Sequence, residues 1–301
     1  MTEAEPTPIT VIGGYLGCGK TTLVNHLLRH ADGKRLAILV NEFGELQIDA
    51  DLIEAQDDEV ISLGGGCVCC SYGNDLITAI LDMEKMDPRP DHIILEASGV
   101  ALPAAIASSL SLLNGFSVDG IVVLADAETI RQRSTDKYMS DTILRQLESA
   151  DILLLNKIDL ISDPERKTTL GWLAEIMGKT PIIETQKSAV PPAILLRDFG
   201  RHLDSESVAA PHQAENFQSS FMAVDVPVDP TEFAESLIAN NRGLVRAKGF
   251  VKSHDGSMHT IQIVGTRVEI THAPDGAKPG VVTISVGPQK ISVTEGHDKS
   301  G

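Results

Sequence analysis

Two short runs of this 301-residue chain hold residue types that do chemistry. In the first, Gly14-Tyr-Leu-Gly17-Cys18-Gly19-Lys20-Thr21 fits G-x-x-x-x-G-K-[ST]. It follows a β-branched apolar run (ITVIGG, 9–14) and opens an amphipathic one (KTTLVNHLLRH), the strand–loop–helix context that a phosphate-binding loop requires. Its glycines let backbone N–H groups turn inward around phosphates, and the helix N-terminus favours the anion. Lys20 would reach the β- and γ-phosphates, and the Thr21 hydroxyl would ligate Mg2+. Cys18 lies inside the loop, where its backbone matters more than its sulfur. The second run is Gly64-Gly-Gly-Cys67-Val-Cys69-Cys70, which holds three of the four cysteines. On an extended chain Cys67 and Cys69 would share a face while Cys70 points away, so the three cannot all be core residues. Three sulfurs fall short of a closed structural site of four thiolates, so a metal there needs a fourth ligand. Soft thiolates favour Zn2+ or Cu(I), with Co2+ geometrically acceptable. A Cys69–Cys70 disulfide or a redox sensor is the alternative.

Further residues complete the picture. Asn156-Lys157-Ile158-Asp159 follows the run DILLL, the position of the guanine-reading element in GTPases. A carboxylate at Asp159 can accept from both N–H groups on the guanine edge, whereas adenine presents an acceptor at one of those positions. Glu96 ends the run HIILE, which places it at the carboxyl edge of a sheet, where such folds collect their ligands. There it can hold the Mg2+ shell or a water. Gly99, three residues on, can offer its backbone N–H to a γ-phosphate. Glu42, in Asn41-Glu-Phe-Gly44, follows the second predicted strand, where P-loop GTPases carry a segment that responds to the γ-phosphate. A carboxylate shared between that segment and the thiols would join nucleotide state to metal state.

The elements that must position these groups are legible as alternation. From Pro8 to about Leu196, apolar runs (9–14, 36–41, 92–97, 120–125, 151–156, 181–184) alternate with helical stretches (20–31, 73–86, 101–113, 139–150, 164–177). The runs are apolar on consecutive residues, as strands buried on both faces are. The pattern predicts an α/β fold, a P-loop NTPase with a mostly parallel sheet and helices on both faces, over residues 8–200. A polar segment, 201–218, reads as a linker. Residues 219–295 then give one helical stretch (230–240) and the runs LVRAKGFVK, MHTIQIVG, TRVEITH and VVTISV, a small α+β domain with an antiparallel sheet.

Composition excludes several classes. Hydrophobic residues are 42% and charged residues 22%, so wholesale disorder is not expected. The formal charge is −17, which argues against a nucleic-acid binder. No apolar run is long enough to span a membrane. The acidic N-terminal sequence has no apolar signal region, and the clustered cysteines suit a reducing compartment, so a cytoplasmic location is expected.

Together GYLGCGKTT, NEFGELQID, GGGCVCC, EASG and NKID, in this order, resemble the CobW family of metal-linked P-loop GTPases. The likeness is strong over about 8–200 and weaker over 217–290, where RAKGF (246–250) resembles an R-x-K-G element. The resemblance implies GTP hydrolysis with Mg2+, metal binding by the C-x-C-C thiols, and delivery of metal to a client protein or cofactor pathway. Carried over by position, Gly14, Gly17, Cys18, Gly19, Lys20, Thr21 and Thr22 form the phosphate and Mg2+ site. Asn156, Lys157 and Asp159 hold guanine, and Glu96 is the Walker-B-type acid. Glu42, Cys67, Cys69 and Cys70 are the metal-linked positions. Three departures stand out: Cys18 replaces the usual Ser, EASG replaces E-T-[ST]-G, and no histidine-rich stretch occurs. Zn2+ is the first choice of metal. Cobalt for cobalamin assembly, and a metal-centre activator of the nitrile hydratase type, stay open, as does a homo-oligomer. Two other classes compete: a GTP-switch assembly or signalling module with structural or redox cysteines, and a small-molecule kinase, against which NKID and the thiols both count.

Overall fold

The structure is a computed structural model and describes residues 5–31, 33–40, 60–62, 74–196, 217–241, 243–274 and 276–286. Seven strands form its first sheet: β1 (Thr7–Gly13), β2 (Leu36–Val40), β3 (Val60–Ser62), β4 (His92–Glu96), β5 (Phe116–Asp126), β6 (Ile152–Asn156) and β7 (Ile182–Glu184). Their order is β3-β2-β4-β1-β5-β6-β7, and every pairing is parallel. Helices join them: α1 (Lys20–Arg29), α2 (Asn74–Glu84), α3 (Pro103–Leu110), the short α4 (Ile130–Arg133), α5 (Ser140–Glu148), α6 (Asp163–Met177) and the short α7 (Pro192–Leu195).

Successive side chains on a strand point to opposite faces, which explains why the strands are apolar throughout. Ile9, Val11, Ile93, Leu95, Leu153 and Leu155 pack with Ile80 and Met83 of α2, Leu110 of α3, Ile143 and Leu147 of α5, and Leu173 of α6. Ile12, Ile38, Ile94, Leu124 and Leu154 face the other way, against Leu23, Val24 and Leu27 of α1. The three-residue strand β3 was not foreseen from the sequence. It is short and sits at the sheet's edge, where little apolar patterning is needed.

A second sheet contains β8 (Phe217–Met222), β9 (Leu244–Lys252), β10 (Met258–Val264), β11 (Arg267–His272) and β12 (Gly280–Val286). Its order is β11-β10-β9-β12-β8, and its pairings are antiparallel. Between β8 and β9 runs α8 (Pro230–Asn240). The Asp229 carboxylate starts that helix by accepting from the N–H groups of Thr231 and Glu232 at 2.9 and 3.0 Å, an N-cap. Strand β8 begins at Phe217, so Phe217 and Gln218 are strand, although the sequence places them in the linker. The reason is local: Phe217 packs its ring onto the core that also holds Val245 and Ile284. Among the described residues no helix is long and apolar enough to cross a membrane.

The two sheets share a core. One face of the second sheet is lined by Leu244, Ala247, Val251, Ile261 and Val281, with Ala234 of α8 over it. From the same sheet Val245, Val264 and Ile284 join Val122, Leu124, Ile152 and Ile194 of the first unit. The second sheet thus covers apolar surface that α1 and α7 leave open. Close approach at this seam requires Gly265. Its φ is +58°, and a Cβ there would lie 1.7 Å from the Asp151 carbonyl oxygen.

A buried ion pair crosses the seam. Arg246, of the RAKGF run, pairs with Asp119 of β5, and both side chains are only 3% exposed. Arg246 Nε also donates to the Ile194 carbonyl at 2.7 Å. Removing one partner of such a pair strands the other charge in a dry interior. Asp119→Ala is therefore expected to lower unfolding stability by about 3–5 kcal/mol, and joint replacement of Asp119 and Arg246 by apolar residues of similar volume to restore most of it. Urea titration followed by circular dichroism measures both.

Candidate nucleotide site

All strands of a parallel sheet end at one edge, and here that edge carries the phosphate loop, Glu96 and the NKID run. The loop from Gly14 to Gly19 joins β1 to α1. Gly14, Gly17 and Gly19 have φ of +126°, +77° and +107°, backbone conformations that L side chains rarely adopt. Lys20 is buried and donates from Nζ to the Gly14 carbonyl at 3.0 Å, across the loop. Glu96 is level with Ile12 in the β1–β4 ladder. Its Oε1 accepts from the Thr21 hydroxyl at 3.1 Å. Two hard oxygen donors side by side at a phosphate loop fit Mg2+, which prefers carboxylate, hydroxyl and phosphate oxygens. Thr22 is exposed at the start of α1.

Gly99 lies against the same loop. A Cβ on it would come within 2.5 Å of Leu16 Cδ2 and 2.8 Å of Leu16 N. Its carbonyl accepts from Gln146 Nε2 at 3.0 Å, and Gln146 also donates to the Ala101 carbonyl at 2.8 Å. In EASG, Ala97 continues β4 through its backbone, donating to the Ile12 carbonyl at 2.8 Å.

From the NKID run, Asn156 reaches back to the phosphate loop. Its Nδ2 donates to the Cys18 carbonyl at 2.9 Å and to Ser188 Oγ at 3.0 Å. Its Oδ1 accepts from Ser188 N–H at 2.9 Å, and Ser188 Oγ donates to the Gly19 carbonyl at 3.0 Å. Lys157 has φ +63° and donates from Nζ to Asp126 Oδ2 at 2.8 Å. That bond lays the lysine stem along the edge between β5 and β6. Asp159 sits exposed in the 3-10 turn Ile158–Leu160, its carboxylate open to a base.

Four residues of this edge were missed in the sequence: Ser188, Gln146, Asp126 and Arg133. Ser188 had a usable signal: it lies in the run TQKSA just beyond β7, at the edge that carries NKID. Lys187 and Ser188 both have left-handed φ, +50° and +55°. Such strain, about 1 kcal/mol or more per residue, persists only where neighbours over-determine it. The bonds between Ser188, Asn156 and Gly19 do so.

The expected metal-linked positions Glu42, Cys67, Cys69 and Cys70 lie outside the described residues. Among the described residues no group of three or more His, Cys, Asp and Glu side chains is placed to hold a metal ion. The fourth cysteine is different in kind. Cys18 is 2% exposed in the core beneath the loop. Burial pushes its thiol up to about 11, against the opposing pull of the Lys20 charge.

Two outcomes follow. Asn156→Ala takes the partner from the Cys18 carbonyl and from the Ser188 N–H, and is expected to cost about 1–3 kcal/mol in stability and to weaken GDP binding by about tenfold or more. Fluorescent-nucleotide titration and urea unfolding read the two effects. Because the thiolate is the nucleophile and a pKa near 11 leaves almost none at pH 8, Cys18 should escape iodoacetamide in the native protein and react once unfolded. Peptide mass spectrometry checks this.

Two family models and several known proteins match the chain. Residues 8–184 match the model described as CobW/HypB/UreG, nucleotide-binding domain, and residues 217–294 that of the cobalamin synthesis protein cobW C-terminal domain. The chain is 30% identical over 305 residues to the zinc chaperone CobW of Sinorhizobium sp, covering 87% of this chain and 86% of that protein. It is 28% identical over 268 residues to the zinc chaperone YjiA of Escherichia coli, covering 82% of each. Over 191 residues it is 33% identical to the zinc-regulated GTPase metalloprotein activator 1 of Schizosaccharomyces pombe, covering 60% of this chain and 46% of that protein. A phosphate loop, its acidic partner and the asparagine-anchored NKID run thus lie inside a matched domain spanning more than half the chain, and the protein belongs to the CobW/HypB/UreG family.

Proposed function

We propose that this protein is a GTP-hydrolysing metallochaperone that takes up zinc through its C-x-C-C thiols and passes it to a client protein. The observation that carries the reading is the Asn156 bridge from the NKID run to the phosphate loop. It ties the run that carries Asp159, the carboxylate we assign to guanine, to the loop we assign to the phosphates. The relatives support zinc as the metal: two are zinc chaperones and one is a zinc-regulated GTPase metalloprotein activator.

In the proposed cycle the backbone N–H groups of residues 14–20 receive the phosphates. Lys20 exchanges the Gly14 carbonyl for the β- and γ-phosphate oxygens, a stronger charge-assisted partner. Thr21 and Glu96 would hold Mg2+, which when bound spreads the negative charge of the phosphates. Gly99 N–H meets the terminal phosphate. Asp159 accepts from the guanine N–H groups, and the Lys157 stem lies beneath the base.

The metal half of the cycle rests on sequence and topology. Val40, at the end of β2, is in register with Glu96 and stands two residues before Glu42. Ser62 ends β3 five residues before Cys67. Both strands end at the nucleotide edge, which supports a site that senses the γ-phosphate. GTP orders the Glu42 segment and tightens the thiol site. Hydrolysis relaxes it and releases zinc to the client. Thiolate chemistry of this kind fits the reducing cytoplasm. The second sheet, docked by Arg246 away from the nucleotide edge, is the surface left for the client.

Coupling between nucleotide and metal must be reciprocal. Competitive Zn2+ titration against a chelator of known affinity is expected to show at least tenfold tighter binding with a non-hydrolysable GTP analogue than with GDP, a coupling of about 1.4 kcal/mol. Cys67→Ser with Cys69→Ser should abolish the tight site and leave GDP affinity unchanged. Equal zinc affinities in both nucleotide states would end the chaperone reading.

A further inference from the structure

One cation at the nucleotide edge lies outside the groups assigned so far. Arg133 ends α4, in the connection that leaves β5 at the same edge as the phosphate loop. Its Nη1 donates to the Leu16 carbonyl at 2.9 Å. Its guanidinium carbon lies 5.3 Å from the centre of the Tyr15 ring. Both contacts are to the outer half of the phosphate loop, and the second is a cation–π contact that holds the guanidinium plane near the loop. Among the described residues Arg133 forms no ion pair with a carboxylate. In a chain of net charge −17, a positive charge held beside a phosphate loop by a carbonyl and a ring is available for an anion. A guanidinium has five N–H donors, and the bond to Leu16 engages one of them.

The position is specific. Leu16 is approached so closely by Gly99 that no Cβ fits there, and its carbonyl is held by Arg133. Thr21 and Glu96 mark the inner pole of the site, and Lys20 spans it. The terminal phosphate of a bound nucleotide belongs between these groups, at the Gly99 side of the loop, so the residue that Arg133 grips is the one next to it.

We propose that Arg133 is a catalytic residue supplied by the chain itself, which binds the γ-phosphate oxygens and stabilises their charge during GTP hydrolysis. This rests on the GTPase reading above. In the step it serves, a water oxygen bonds to the γ-phosphorus and the bond from that phosphorus to the β–γ bridging oxygen breaks. GDP leaves with the electron pair, and both protons of the water end on inorganic phosphate, which leaves as dihydrogen phosphate. Charge spreads over the equatorial oxygens as this happens, and a guanidinium there lowers the barrier without covalent chemistry. Lys cannot replace it fully, because the ammonium lacks the planar fork.

The test uses the full chain with Mg2+. Arg133→Ala is expected to lower kcat for GTP by about 10²-fold or more, with GDP affinity within about threefold of wild type. Aluminium fluoride, which mimics the transferring phosphoryl group, should tighten GDP binding in wild type and not in Arg133→Ala. Arg133→Lys should recover little of kcat, and millimolar guanidinium should partly restore Arg133→Ala. A kcat within about twofold of wild type would overturn the inference. So would parallel loss of GDP affinity and kcat in both variants, which marks a brace for the loop and nothing more. Failure of the wild type to hydrolyse GTP would overturn the GTPase reading together with this inference, whereas a turning-over wild type confines any failure to Arg133.

Discussion

At the carboxyl edge of the first sheet, the Asn156 side-chain amide donates to the Cys18 carbonyl and accepts from the Ser188 backbone. Three pieces of chain far apart in sequence meet on those few atoms: the phosphate loop, the end of β6 and the turn after β7. A buried amide of this kind is costly to leave unpaired, about 1–3 kcal/mol for each lost partner, so the three pieces stand or fall together. Gly19 shows how tight the fit is. A Cβ there would lie 2.5 Å from Asn156 Nδ2 and 2.8 Å from Ser188 Oγ. The glycine of the phosphate loop therefore answers to two needs, a left-handed backbone for the anion and clearance for the bridge that carries the base-reading turn.

Local patterns in the sequence were enough for the phosphate loop, NKID and the strand–helix alternation, because each depends on neighbouring residues. The strands buried on both faces read as continuous apolar runs, and the capped helix after Asp229 falls at 230–240 as expected. Contacts between distant residues left no such mark. Gln146 bonds to Gly99 across 47 positions, Arg133 to Leu16 across 117 and Ser188 to Gly19 across 169. Their partners are backbone carbonyls, which carry no residue code, so nothing in the sequence names them. Phe217 is a milder case. A single aromatic after a polar segment carries no period, and only its packing makes it strand.

The seam between the two sheets changes the meaning of the second one. Val245, Val264 and Ile284 complete a core begun by α1 and the first sheet. Arg246 fixes the orientation, since its guanidinium must meet both Asp119 and the Ile194 carbonyl. Ile194 lies in α7, which follows the turn holding Ser188. One short stretch of chain, 185–196, thus touches the phosphate loop at one end and the second sheet at the other.

Cys18 gives the last consequence. Zinc coordinates thiolates, and a sulfur must lose its proton before it can ligate. The enclosed Cys18 sulfur keeps its proton far above neutral pH. Burial thus makes the one sulfur inside the phosphate loop a poor metal ligand near neutral pH, whatever ion the nucleotide brings with it.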